Sequence, residues 1–199
     1  MMVAASGPAP IGALALFVAL VVAQRLIELG ISARNARRVL ARGAVEHGRA
    51  HFPLLVLVHM LFPLFLVAEV IWFGARPWPS WWFWLALWLG AQALRVAAIR
   101  ALGDRWNVRI LVVPGESLVR LGPYRLLRHP NYLAVVVELI AAPFMFGAWR
   151  TTIVITALNA FALWIRITAE ERALGAAARE SDVETAAARA LAVEPRSGT

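Results

Sequence analysis

Gly122-Pro123-Tyr124-Arg125-Leu126-Leu127-Arg128-His129-Pro130-Asn131-Tyr132 is the one stretch where ionisable, aromatic and turn-forming residues crowd together just before an apolar run. Gly-Pro sets a turn, and Pro130 sits where a helix can begin, because its missing N–H costs nothing in a first turn. Arg128 and His129 then lie at the positive end of that helix, where free N–H donors suit an anionic group such as a carboxylate or phosphate. On these residues alone the stretch reads either as a cofactor-binding entrance to a membrane helix or as a basic loop at a membrane face.

The surrounding composition favours a membrane setting. Of 199 residues, 61% are hydrophobic and the mean hydropathy is +0.68, which is too apolar for an ordinary soluble domain. The chain reads as an all-α polytopic membrane protein. Cysteine is absent, which excludes disulfides, thiolate metal sites and cysteine nucleophiles. All 20 basic residues are arginine, and the net charge is +8. These charges fall between apolar spans, so a membrane surface, not nucleic acid, is the partner they indicate.

Five spans are predicted within a single membrane domain covering 1–199: about 11–31, 52–73, 81–99, 132–148 and 152–169. Residues 1–10 are a short neutral tail without the positive start of a secretory signal. In the first span Arg25 and Glu28 stand at i, i+3 and are expected to pair. Ser32–His51 is a basic, interfacial connector; its His47 and His51 lack a third ligand, so no metal site is predicted. Glu46 and His47 read either as interfacial polar residues or as groups admitting a substrate head. His59, in the second span, is either a neutral residue facing another helix or a proton acceptor for a buried hydroxyl. Pro63 predicts a kink in that span, and Glu69 is expected to reach the outer interface. Trp81, Trp82 and Trp84 read as boundary anchors. The long polar segment Ala101–Asn131 contains turn signals and a short extended candidate, Arg109–Val113. The fourth span carries Glu138, and 173–199 is an alanine-rich helical tail that frays towards Pro195.

Five arginines in the first connector and six from Arg100 through Arg128, against Arg76 and Arg150 alone in the other two loops, orient the chain. The N-terminus is expected outside, with the His129 segment, the Arg166–Glu171 end of the fifth span and the C-terminus in the cytoplasm. The fourth and fifth spans then form a hairpin whose inner ends bring His129 and Tyr132 beside Arg166, Glu170 and Glu171. That combination suits a zwitterionic cofactor with a carboxylate and a cationic centre. The plainer reading is that Arg166 and Glu170 are an i, i+4 surface pair.

Gly122-Pro123-Tyr124, Arg128-His129-Pro130-Asn131-Tyr132 and, one apolar hairpin later, Arg166 with Glu170-Glu171 together resemble the isoprenylcysteine carboxyl methyltransferase family. The resemblance covers about Arg105 to Leu174, where two separated motifs agree in order and spacing. It implies an integral membrane enzyme that transfers the methyl group of S-adenosyl-L-methionine to a lipidic acceptor in the bilayer. It assigns the cofactor to Tyr124, His129, Pro130 and Tyr132, with Glu138 and Glu171 in support, and catalysis to Arg166 and Glu170. The segment from Glu46-His47 to His51-Phe52-Pro53 is also similar to bacterial members associated with polyketide synthases, which methylate alkylresorcinols or alkylpyrones. The implied acceptor is thus an alkylresorcinol or alkylpyrone hydroxyl, or a prenylcysteine carboxylate. A carboxylate needs no base, whereas a phenol or enol makes Glu170 or His59 a base candidate.

Two departures from the family pattern are visible. Ala134 stands where glycine is common, and the tail after Leu174 lacks the aromatic pattern of the prenylcysteine enzymes, which points away from a prenylated protein. Arginine and alanine usage suggests a bacterial inner membrane. Two rival readings are an NADPH-dependent membrane sterol or steroid reductase, which shares an Arg-His-Pro-Asn-Tyr-like segment, and a non-enzymatic transporter or scaffold. The Arg166–Glu171 cluster favours methyl transfer over the reductase, and a transporter or scaffold would leave the double motif unused. No glycine-rich dinucleotide loop is present.

Overall fold

The computed structural model describes residues 10–116 and 118–193. Five helices carry the fold: α1 (Ile11–Leu40), α2 (Phe52–Ile71), α3 (Trp81–Leu102), α4 (Pro130–Met145) and α5 (Trp149–Val193). Two three-residue strands, β1 (Val45–His47) and β2 (Ile110–Val112), join the two arginine-rich connectors. They pair antiparallel, with Val45 opposite Val112 and His47 opposite Ile110. The expected tail before Pro10 and the fraying end from Glu194 lie outside the described residues.

Four helical stretches are long and apolar enough to cross a membrane: Ile11–Leu40, Phe52–Ile71, Trp81–Arg105 and Trp149–Ala177. The fifth apolar helix, α4, has only 16 residues, roughly 24 Å of rise. It is largely shielded by its neighbours, with Ala134, Leu139, Ala141 and Ala142 fully buried. Its main partner is α3. Small residues on both helices, including Ala91 and Ala98 of α3, let the backbones approach closely where lipid supplies no hydrophobic drive. Leu14, Phe17 and Val21 of α1, Val58, Phe62 and Leu66 of α2 and Ile155 of α5 complete the core. Leu16, Leu20, Leu57, Leu64, Phe161 and Trp164 point outwards, as a chain facing hydrocarbon requires.

Several boundaries differ from the sequence expectation. The first helix does not end near Ile31 but runs to Leu40, because Ser32–Val39 keeps a helical face: Ser32, Asn35, Ala36 and Val39 are buried at three- and four-residue spacing. The tail predicted from residue 173 is continuous with the last span as far as Val193. Glu69 does not reach an interface. It is buried and caps the N-terminus of α5, its carboxylate accepting from the Arg150 N–H at 3.1 Å, the Thr151 N–H at 2.6 Å and the Thr151 hydroxyl at 2.7 Å. Trp81 and Trp82 are exposed as anchors should be, but Trp84 turns inwards and stacks on Phe144 at 4.5 Å.

The turn between α4 and α5 allows one residue type. Gly147 has φ +70°, and a Cβ built there would lie 2.0 Å from the Arg76 carbonyl oxygen of the α2–α3 connection. Glycine permits both the left-handed backbone and the close approach. The hairpin that carries the site is thereby locked against the loop opposite it.

Candidate functional site

Pro130 opens α4 and is buried, and the His129 carbonyl accepts from the N–H groups of Tyr132 and Leu133, each at 3.1 Å. This first turn holds the His129 and Tyr132 rings stacked, with centroids 5.3 Å apart. From α5, Arg166 Nε donates to the Tyr132 hydroxyl at 2.8 Å, and that hydroxyl donates in turn to Glu170. Arg166 also lies over the Tyr132 ring at 5.7 Å. Glu171 faces His129 Nε2 at 3.5 Å and Arg128 at 3.9 Å. The hairpin therefore brings the two halves of the expected site together through direct side-chain bonds.

A cavity of about 740 Å³ opens at this end of the bundle. Tyr124, His129, Tyr132, Arg166, Glu170 and Glu171 line it on one side, and β2 with the Arg105–Val113 segment on the other. Burial pushes the Tyr124 phenol above its ordinary value, and the nearby Glu170 carboxylate pushes it further the same way. The opposite wall is fastened to the extended end of α1. Asn35 donates to the carbonyls of Gly103 at 3.1 Å and Trp106 at 2.9 Å, and Ser32 Oγ accepts from the Val108 N–H at 3.0 Å. Ion pairs of Arg38 with Asp104 at 2.7 Å and of Glu116 with Arg105 at 2.7 Å hold the same segment.

A second, smaller chamber of about 150 Å³ lies between the helices. Its walls are mostly apolar, with Phe52, Leu55, Val56 and Met60 of α2, Val135 of α4 and Leu163 of α5, joined by Arg25, Glu28, His59 and Arg95. Trp106, Asn107, Asn131, Tyr132 and Arg166 line both spaces. Asn131 Oδ1 is buried there without a hydrogen-bond partner among the described residues. The larger, more polar cavity and the smaller apolar chamber thus meet at one wall that includes Tyr132 and Arg166.

Glu138 stands apart from the other expected site residues. It is fully buried and bonded to Arg25 at 2.7 Å and to Arg95. Glu28 joins the same group through Arg25 at 2.7 Å, Arg95 at 3.3 Å and Gln24 at 2.8 Å. The expected Arg25–Glu28 pair is present, but as part of a network of four charged residues across α1, α3 and α4. Two guanidiniums and two carboxylates cancel there, which is how a membrane interior tolerates them. Glu138 borders neither space. Glu46 is held by Arg49 at 2.8 Å and Arg109 at 3.1 Å.

Sequence reasoning missed Ser32, Asn35, Trp106 and Asn107. The signal for the first two was the helical spacing of small and polar residues hidden inside a segment that looked merely basic. Trp106 and Asn107 stood in an irregular segment where no periodicity marks a buried side.

The fold and its joined spaces define an integral membrane protein with a polar site at one end of a helical bundle. Residues 84–176, from α3 to the part of α5 beyond Glu171, match the Isoprenylcysteine carboxyl methyltransferase (ICMT) family. The chain is also 39% identical over 160 residues to the uncharacterized protein YpbQ of Bacillus subtilis, covering 80% of this chain and 95% of that protein. An uncharacterized protein of Haemophilus influenzae is 29% identical over 161 residues, 78% of this chain and 91% of its own length. The chain belongs to the isoprenylcysteine carboxyl methyltransferase family of membrane methyltransferases.

Proposed function

We propose that the protein is an S-adenosyl-L-methionine-dependent O-methyltransferase whose lipidic acceptor enters from the bilayer. The observation that carries this reading is the common wall of the two spaces, where Tyr132 and Arg166 border both the polar cavity and the apolar chamber. A water-soluble methyl donor and a lipid can meet at such a wall without either leaving its own solvent.

The residues of the larger cavity fit the donor. Its carboxylate suits the positive N-terminal end of α4 beside His129, and Glu170 and Glu171 supply negative charge for its ammonium group or ribose hydroxyls. Tyr124 and Tyr132 add aromatic walls. When bound, the donor supplies an electrophilic methyl on a sulfonium. Arg166 orients the acceptor oxygen, Glu170 fixes Arg166 through the Tyr132 hydroxyl, and the apolar chamber strips water from the oxygen. Transfer from a sulfonium neutralises charge, so alignment and desolvation carry most of the rate enhancement.

The acceptor is a prenylcysteine carboxylate, or the hydroxyl of an alkylresorcinol or alkylpyrone. The arginine asymmetry supports an external N-terminus, with the site and the C-terminus facing the cytoplasm of a bacterial inner membrane. Calorimetry on detergent-solubilised protein tests the reading: S-adenosylhomocysteine should bind wild type, and His129→Ala should weaken it. Binding of NADP alone would sink the proposal and favour a reductase.

A further inference from the structure

The chamber holds one neutral base with an unused lone pair. His59 Nδ1 lies 2.8 Å from the carbonyl oxygen of Leu55, four residues earlier on α2. A carbonyl only accepts, so Nδ1 carries a proton, and in the neutral ring Nε2 then keeps its lone pair. Among the described residues Nε2 has no hydrogen-bond partner, although the ring lines the chamber. An unmatched acceptor in an apolar membrane space is costly unless a donor arrives.

The other ionisable groups around it are occupied. Arg25 and Glu28 of α1 and Arg95 of α3 line the chamber, and Glu138 of α4 lies behind them; they neutralise one another. Tyr132 of α4 is bonded to Arg166 and Glu170 of α5. Glu170 lines the larger cavity but not the chamber. This separates the two base candidates that the sequence left open.

We infer that His59 Nε2 accepts the proton of the acceptor molecule, which is therefore an amphiphile with an ionisable hydroxyl, a phenol or enol, and not a carboxylate. The inference rests on the methyl-transfer reading and narrows its acceptor. In the step, the O–H bond breaks and its proton passes to Nε2, while the oxygen electron pair forms the new O–CH₃ bond. The carbon–sulfur bond of the sulfonium donor breaks, and its electron pair stays on sulfur as a neutral thioether. The imidazolium then releases its proton to water through the larger cavity. A carboxylate has no proton to give, and would leave Nε2 without a partner in the bound state.

Full-length protein in detergent, as wild type, His59→Gln and His59→Asn, is first titrated with a long-chain alkyl nitrophenol without cofactor. Absorbance reports how much of the bound probe is phenolate. Wild type is expected to raise the ionised fraction, and both variants to lose that rise. Methyl transfer to meta-pentadecylphenol should fall about 100-fold in kcat in the variants. The loss should shrink to less than about 10-fold for a ring-fluorinated analogue that ionises without help. S-adenosylhomocysteine affinity should be retained. Equal losses for both phenols, an unchanged phenolate signal, or transfer confined to an S-farnesylcysteine carboxylate would overturn the inference while leaving methyl transfer standing. Failure of wild type to bind S-adenosylhomocysteine would remove the methyl-transfer reading itself.

Discussion

Arg166 Nε donates to the Tyr132 hydroxyl at 2.8 Å, tying the returning helix α5 to the first turn of α4. Because the same hydroxyl bonds Glu170, one oxygen holds a cation and a carboxylate in register at the wall between the two spaces. Tyr132→Phe keeps the ring and removes that link. Methyl transfer should then fall about 100-fold in kcat through misplacement of Arg166, with S-adenosylhomocysteine affinity changed far less. A parallel loss of affinity and rate in calorimetry and turnover assays would assign Tyr132 to donor binding alone.

Glu138 should behave as a structural carboxylate. Glu138→Ala leaves Arg25 and Arg95 sharing the single buried carboxylate of Glu28, two cations against one anion, and is expected to cost about 3–5 kcal/mol. Thermal unfolding in detergent measures this. A variant of wild-type stability with weakened S-adenosylhomocysteine binding would return Glu138 to the cofactor site.

The α4–α5 turn offers two lesions. Glu69→Ala removes the three bonds that cap α5 and should cost about 1–3 kcal/mol. Gly147→Ala meets both an unfavourable φ and the Arg76 carbonyl, so a loss of at least about 2 kcal/mol is expected. Melting curves and detergent-resistant yield report both. A Gly147→Ala variant as stable as wild type would show that the 75–76 loop can move away.

Tyr124 predicts an alkaline limb. Burial and then Glu170 raise its phenol in the folded chain, so the folded state holds that proton more tightly than the unfolded state. Its contribution to stability is complete below the unfolded value of about 10 and is lost as pH rises past it. Tyr124→Phe should flatten the fall in melting temperature between about pH 9 and pH 11. Identical slopes in the two proteins would contradict the assigned burial.

Much of the candidate site was legible because its residues carry their signal locally. Pro130 marks a helix start, Tyr124, His129 and Tyr132 flank it, and Arg166 to Glu171 fall one apolar hairpin later. Apolar length likewise marked the four helices long enough to cross a membrane, whereas the span expected at 132–148 falls on the 16-residue α4, which is shorter; a short extended segment was expected at Arg109–Val113, where β2 forms. Its partner β1 was not legible: three residues in a basic connector have too little pattern to announce a strand. Glu69 was placed by its position near the end of its span and Glu138 by the family resemblance, and both are held by residues far along the chain.

The amino-acid sequence by itself determined the helical membrane class, the family motifs and the joining of His129 and Tyr132 with Arg166, Glu170 and Glu171, since hydropathy and hairpin length act over short stretches. Beyond the i, i+3 pair of Arg25 with Glu28, only the tertiary structure decided which ionisable groups are paired. Arg25, Glu28, Arg95 and Glu138 cancel because three helices bring them together, and Glu69 is spent on capping α5. His59 keeps a free nitrogen because, among the described residues, no packed element offers it a donor. Sequence distance says nothing about the long-range matches: in a low-dielectric bundle, the partner on another helix that satisfies a charge is set by helix packing.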